Sequence, residues 1–281
     1  MLCELFGYTK QAYYKQFSNQ TERCLLNEEL TASVLTIRRQ MPRLGTRKLH
    51  HLIKGNYPIG RDKLFNVLRK EGLLIFKRKK YTKTTNSKHW MRKYPNQVKE
   101  LILFRPEQLW VADITHVETL EGNAYLHLVT DAYSKKIMGY ELCANMEAVS
   151  TVKALNMAIK NRQYKNEPLM HHSDRGLQYC SKIHIQSLTE SGISVSMTES
   201  GSPYDNAIAE RINGILKDEF GLGERFTDLK EAQMQTRESI AIYNSLRPHL
   251  SCSMLTPNQM HNQQNVKLKT YKKTSNILVD V

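Results

Sequence analysis

Two different hydrophobic periods run along this chain, and they divide it near residue 105. In the first part, apolar residues recur at helical spacing. Leu5 to Lys15 reads as the end of a short helix, a turn at Gly7, and a second helix from Thr9. Asn19, with Glu22 three residues later, has the form of a capping box and predicts the start of a long helix. Its apolar stripe is Leu26, Leu30, Val34, Ile37 and Met41, and Pro42 ends it. Two shorter helices follow, one from Thr46 to Gly55 and one from Arg61 to a stop at Gly72. Between Lys77 and Lys99 no apolar period survives.

From Glu107 the pattern changes to strands. Gln108–Glu118, Ala124–Asp131 and Lys135–Cys143 read as three strands of an antiparallel meander, with a turn signal at Glu121-Gly122-Asn123. A helix is expected over Met146–Arg162, a short strand over Glu167–His171, a helix over Ser181–Glu190 and a strand over Ile193–Met197. Helical patterns then run from about Asp205, placed as an N-cap, to Ser245. The order predicts an α/β domain over 105–261, an all-α region over 1–76, a linker over 77–104 and a polar tail over 262–281.

Charge sharpens this division. Residues 1–105 hold 23 of the 41 Lys+Arg and 7 of the 27 Asp+Glu, so the whole net charge of +14 belongs to the first third. A basic block joined to a near-neutral one points to a nucleic-acid grip attached to a module with another task. Arg61, Lys63 and Asn66, with Lys70, fall on one helix that can enter a major groove. Lys77-Arg78-Lys79-Lys80, with Tyr81, Trp90 and Tyr94 interleaved among later basic residues, suits a phosphate backbone. No apolar run is long enough to span a membrane, and no signal peptide is recognised at the start. The five cysteines form no C-x-x-C pair, which fits a reduced, cytoplasmic, nucleoid-associated protein.

The candidate chemistry lies in three acids. Asp113 interrupts the apolar run Leu109-Trp-Val-Ala-Asp-Ile-Thr, where a lone carboxylate is costly unless paired or metal-bound. Asp174 follows the short strand Leu169-Met-His-His-Ser. Glu210 lies on the later helix, in a polar stripe with Asn206, Asn213 and Lys217 at steps of four, three and four. Two strand aspartates and a helical glutamate suit a hard divalent cation. His171 and His172 are adjacent on a strand, so they face opposite ways and do not share one ion. The N-terminal third has no paired His and Cys spacing, so no zinc is expected.

Between Asp174 and Glu210 lie 35 residues, and this spacing resembles the D,D-35-E pattern of retroviral integrases and related transposases. Trp110-Val-Ala-Asp-Ile-Thr115, His172-Ser-Asp-Arg-Gly176, Pro203-Tyr-Asp-Asn-Ala207, Lys217, and Tyr243-Asn244 with Arg247-Pro-His249 all resemble one group. That group is the insertion-sequence DDE transposases made as the second of two overlapping reading frames. Lys135 and Tyr140 depart from it, standing where Arg and Trp are frequent. The resemblance implies a ribonuclease-H-like integrase catalytic core preceded by a helix-turn-helix region. It implies Mg²⁺, with Mn²⁺ as a substitute, held by Asp113, Asp174 and Glu210. It implies 3′-end cleavage and strand transfer at the ends of a mobile element. Lys217 and Asn206 are expected to approach DNA, as are Arg61, Lys63, Asn66, Arg78 and Lys80. The expected partners are double-stranded DNA, further copies of the chain and an upstream reading-frame product. The alternatives are a nuclease of the same fold and an inactive DNA-binding relative.

Overall fold

The structure is a computed structural model, and it describes residues 7–76, 91–98, 101–199, 206–266 and 268. It divides into two compact units, residues 1–77 and 78–281. The first unit is helical, with α1 (Lys10–Gln40), α2 (Thr46–Ile53) and α3 (Arg61–Lys70). Leu30, Val34, Leu44, Leu49, Leu64 and Leu68 form its buried interior. The expected break before Asn19 does not occur. Thr9 caps a single 31-residue helix by accepting from Ala12 N at 3.1 Å, and Asn19 and Glu22 lie exposed within it. A capping sequence starts a helix only where the backbone before it leaves helical geometry, and nothing between Lys10 and Asn19 forces that.

The second unit is built on a five-stranded sheet of order β3-β2-β1-β4-β5. Its strands are β1 (Leu109–Thr119), β2 (Gly122–Asp131), β3 (Ile137–Cys143), β4 (Leu169–Ser173) and β5 (Ile193–Met197). The first three form the antiparallel meander, and β4 and β5 add in parallel on the other side of β1. This is the ribonuclease-H-like arrangement, with the strand of Asp113 at its centre.

Helices α4 (Ala148–Lys160), α5 (Leu177–Cys180) and α6 (Lys182–Glu190) belong to one side of the sheet. There Trp110, Ala112, Leu155 and Leu188 share one core. Gly139 permits the close approach of β3 to α4, because a Cβ at that position would meet Ala154 O at 2.1 Å. On the other face Leu109, Val111 and Ala132 pack with Ala209 of α7 (Ala207–Glu219). α8 (Leu229–Ser245) and α9 (Pro257–His261) complete the unit.

Two stretches read from sequence as free chain are docked on this unit. Met91 and Tyr94 pack against the first core, and Val98, Leu101 and Leu103 against the second. Gln97 N donates to Ser196 Oγ at 3.0 Å. After α9, Asn265 N donates to Phe104 O at 2.7 Å and Val266 N to Tyr133 Oη at 2.9 Å. Leu101 and Leu103 turn inward while Ile102 and Phe104, between and after them, stay exposed, and Met91, Tyr94 and Val98 follow no common period with them.

Candidate active site

The ladder between β1 and β4 pairs Leu109 with Met170, Trp110 with His171 and Val111 with His172, and goes no further. Beyond it β1 continues while β4 turns away at Asp174. Two aspartates therefore flank the opening where neighbouring strands part. Such a crevice at the carboxyl end of a parallel strand is a favoured ligand site in α/β sheets. A cavity of about 190 Å³ lies there, lined by Asp113, His116, Asp174, Gly176, Gln178 and Tyr179 among others.

Asp174 is held by its own turn. Gly176 N donates to Asp174 Oδ1 at 2.9 Å, and a Cβ on Gly176 would lie 3.0 Å from that same oxygen. Asp113 is held from α7. Asn213 Nδ2 donates to Asp113 Oδ2 at 2.7 Å, and Asn206 Nδ2 donates to Ala112 O at 2.9 Å. One helix is thus keyed to one strand at two points seven residues apart. Ile212, Ile215 and Leu216 are buried beside them.

Glu210 stands on the same helix in its first turn, exposed, and is not part of the cavity wall. Lys217 is half-buried, two turns on. Burial lowers its pKa, and the negative charge of Asp113, then of Glu118 and Asp218, opposes that shift. The polar stripe read from sequence is therefore real, and it faces β1.

The charge state reflects the crowding. Burial, then the charge of Asp174, pushes Asp113 up to about 7, with Glu210 adding to the rise and the Asn213 hydrogen bond opposing it. Burial also raises Glu210 and raises Tyr179 well above the ordinary phenol value, and Asp113 and Asp174 add to the latter. Two carboxylates lining one cavity, the charge of one raising the proton affinity of the other, form a donor set for a hard divalent cation. The chemistry fits, although no group of three metal-ligating side chains is preassembled among the described residues.

Several sequence expectations change here. Asn206 occupies the N-cap position of α7, where Asp205 was expected, and Asp205 lies outside the described residues. Asn206 is buried with its amide committed to β1, so it acts as a strut and not as an exposed DNA contact. Asn213, seen in the stripe but given no task, makes the direct contact with Asp113. Arg61, Lys63 and Asn66 are all exposed on α3. Arg61 Nε donates to Asp62 at 2.8 Å, and Asn66 accepts from Arg69 at 2.8 Å. Arg78 and Lys80 lie outside the described residues.

His171 packs edgewise on His184, with ring centroids 5.2 Å apart, while His172 Nδ1 lies 2.9 Å from Ser196 Oγ. A second polar cluster joins Glu107, Asp131, Ser134 and His261, but all four are fully buried. His261 Nε2 lies 3.2 Å from Glu107 and its Nδ1 lies 2.9 Å from Ser134 Oγ. No substrate reaches these groups, and they tie α9 to the sheet.

The segment Tyr243-Asn244 to His249 holds the far end of α7. Arg247 Nε and Nη2 donate to Glu219 at 2.9 and 2.7 Å, and Arg247 Nη1 lies 2.8 Å from His249 Nε2. Asn244 bonds both the N–H and the carbonyl of Ile137, at 3.0 and 2.9 Å. Tyr243 Oη donates to Lys135 O at 2.8 Å.

Comparison with known proteins agrees with this architecture. One model of the integrase core domain matches residues 104–203 and a second matches residues 191–257. The chain is 34% identical over 261 residues to an uncharacterized 31 kDa protein of insertion element IS600 from Shigella sonnei, covering 91% of this chain and 96% of that protein. It is 31% identical over 204 residues to the transposase for insertion sequence element IS629 from Shigella sonnei, covering 72% and 68%. Among solved structures, the HTLV-2 integrase catalytic core domain in complex with magnesium (trimeric form) is similar with a TM-score of 0.45 and 21% identity, covering 57% of this chain and 99% of that one. With integrase core matches running from residue 104 to residue 257 and a relative matched along nearly its whole length, the chain belongs to the insertion-sequence DDE transposases, polynucleotidyl transferases with an integrase catalytic core.

Proposed function

We propose that this transposase performs Mg²⁺-dependent 3′-end cleavage and strand transfer on the double-stranded ends of its element, with Asp113, Asp174 and Glu210 as its catalytic acids. The observation that carries the reading is the facing of Asp113 and Asp174 across one cavity, with α7, the helix of Glu210, bonded to Asp113 through Asn213. Asp113 and Asp174 would hold the cation, and Glu210 would complete its ligands. Mn²⁺ offers the same oxygen affinity and is expected to substitute. The bound cations supply Lewis-acid polarisation of the phosphodiester and activation of the attacking hydroxyl.

The chain's own residues do the positioning. Gly176 N–H and Asn213 orient the two aspartates. Lys217, on the face of Glu210, contacts a phosphate of the scissile strand. Water serves as nucleophile in cleavage and a DNA 3′-hydroxyl in joining, so no protein nucleophile is needed. The exposed side chains of α3 and the basic stretch 77–99 supply the DNA grip.

The test uses a duplex carrying an element end and, separately, the same duplex already cut at its 3′ end. Asp113→Asn, Asp174→Asn and Glu210→Gln are each expected to lose cleavage and joining by more than a hundredfold while DNA binding stays within a few-fold, in line with losses of directly acting catalytic groups. Cleavage without any joined product from the pre-cut duplex would indicate a nuclease of this fold. Activity within tenfold of wild type for one variant would remove that acid from the site.

A further inference from the structure

The first unit carries a second apolar face that its own interior does not use. Every residue from Gly7 to Leu25 is exposed, although Lys10 to Leu25 form the first four turns of α1. Tyr13, Tyr14, Phe17 and Leu25 are 52%, 68%, 62% and 56% exposed, and Leu35 on the same side is 46% exposed. These residues lie away from the stripe of Leu30 and Val34 that packs into the unit. Tyr14, Phe17, Thr21, Cys24, Glu28, Thr31 and Leu35 recur at steps of three and four, the spacing of a two-helix seam. A lone helical extension with aromatics in water has little to stabilise it, because most helical stability in proteins comes from packing one face.

Charge selects the occupant and its direction. Lys10 stands near the start of the seam and Glu28 further along it. In a parallel pair Glu28 would face its own copy, and like charges oppose each other. In an antiparallel pair centred on Asn19, Lys10 faces Glu28, Tyr14 faces Cys24 and Phe17 faces Thr21, while Tyr13 and Leu25 cover the two opposite edges of the seam. This register also sets one type of seam position against the other throughout. The face is therefore complementary to itself about a twofold axis, which is the requirement for an isologous dimer.

We infer that the Tyr13–Glu28 face of α1 docks against the same face of a second copy of this chain, antiparallel, with Lys10 paired to Glu28. The inference does not depend on the role of the three acids. Two helices of this length bury an area near the low end of specific interfaces, roughly 1,200 Å² or less, so the dimer dissociates on dilution.

The experiment is a mass measurement by light scattering on the full chain without DNA, across a dilution series. The wild type is expected to move from twice the chain mass towards the chain mass. Phe17→Glu, at an exposed position that leaves the unit's interior intact, is expected to stay monomeric. Lys10→Glu is expected to weaken the dimer, and Lys10→Glu with Glu28→Lys to restore it. Tyr14→Cys is expected to give an interchain disulfide with Cys24 under oxidising conditions, lost when Cys24→Ser is added. A wild type that is monomeric throughout overturns the inference, including the case in which α1 instead takes up an upstream reading-frame product. A dimer unaffected by Phe17→Glu, or a Cys24-to-Cys24 crosslink in the wild type, also overturns it.

Discussion

Asn213 shows how much one side chain can decide at this site. Its amide N–H, with the backbone N–H of Ile114, opposes the rise in Asp113's pKa that burial and the charge of Asp174 cause. Asn213→Ala removes the larger part of that opposition, so Asp113 should hold its proton to higher pH. Magnesium binding followed from low to high pH should then show its acidic limb displaced upward relative to wild type. An unmoved limb would detach Asn213 from the charge state of Asp113. A second prediction concerns buried histidines. Burial lowers His127 and His184 to about 4 and lowers His171 well below its ordinary value of 6.5. Depressed values mean that the folded state binds fewer protons than the unfolded one below pH 6.5. Their contribution is therefore fully present above about 6.5 and is lost as pH falls towards 4. His261 runs the other way: burial would lower its pKa, but Asp131 and Glu107 raise it, so its contribution is present below 6.5 and lost above its raised value. Asp113, raised to about 7, takes up its proton in the same window and acts with His261, so the contribution of the three histidines is read by difference. Between pH 7.5 and 5 the urea midpoint of His184→Gln should lose less, or gain more, than that of the wild type.

At the scale of elements, α7 is the part whose placement matters most. Asn206 and Asn213 fix it to β1, and the Arg247–Glu219 pair fixes its last turn to the chain after α8. Arg247 is 1% exposed, so deleting its partner or itself leaves a charge poorly compensated. Arg247→Ala is expected to cost roughly 2–4 kcal/mol, allowing for the partial exposure of Glu219. Arg247→Met with Glu219→Gln removes both charges and should cost clearly less than Arg247→Ala alone. Urea denaturation of the two proteins decides the matter, and equal losses would mean that packing, not charge, sets the cost. The long α1 teaches the converse lesson. Asn19 and Glu22 satisfy a start signal, but a signal of that kind only lowers the cost of a helix end that geometry already imposes.

For the whole molecule, the structural division at residue 77 falls inside the basic part seen in the sequence: residues 1–77 hold 14 Lys+Arg and 6 Asp+Glu, and residues 78–281 hold 27 and 21. The boundary that matters for folding is different from the boundary of charge. Met91, Tyr94, Val98, Leu101 and Leu103 all pack on the catalytic unit, though they precede its first strand. A fragment starting at residue 91 should therefore unfold cooperatively. A fragment starting at residue 105 should lose roughly 2–5 kcal/mol, the order expected when several partly buried apolar side chains are withdrawn. Thermal melts of the two fragments check this, and identical melting temperatures would show that residues 91–104 contribute nothing to the core.

The placement of Asp113 on the central strand, of Asp174 just past a second strand and of Glu210 on a later helix, the order of strands and helices, and the charge division were all legible in the sequence. Each is a property of residue type and local period, and local period is what sequence displays directly. The stripe of Asn206, Glu210, Asn213 and Lys217 was legible for the same reason, since it follows from helical geometry alone. The tasks within that stripe were decided only by tertiary structure. Which asparagine reaches Asp113 and which reaches Ala112 O depends on how far α7 slides along β1, and that is set by Ala209 packing on the sheet and by the burial of Ile212 and Leu216. The docking of Met91, Tyr94, Val98, Leu101 and Leu103, the Arg247–Glu219 clamp and the enclosure of His261 belong with them. Each joins residues far apart in the chain through surfaces that exist only once the sheet has formed. No period in the sequence carries that information, because the partner in each case is a place in the fold and not a neighbour in the chain.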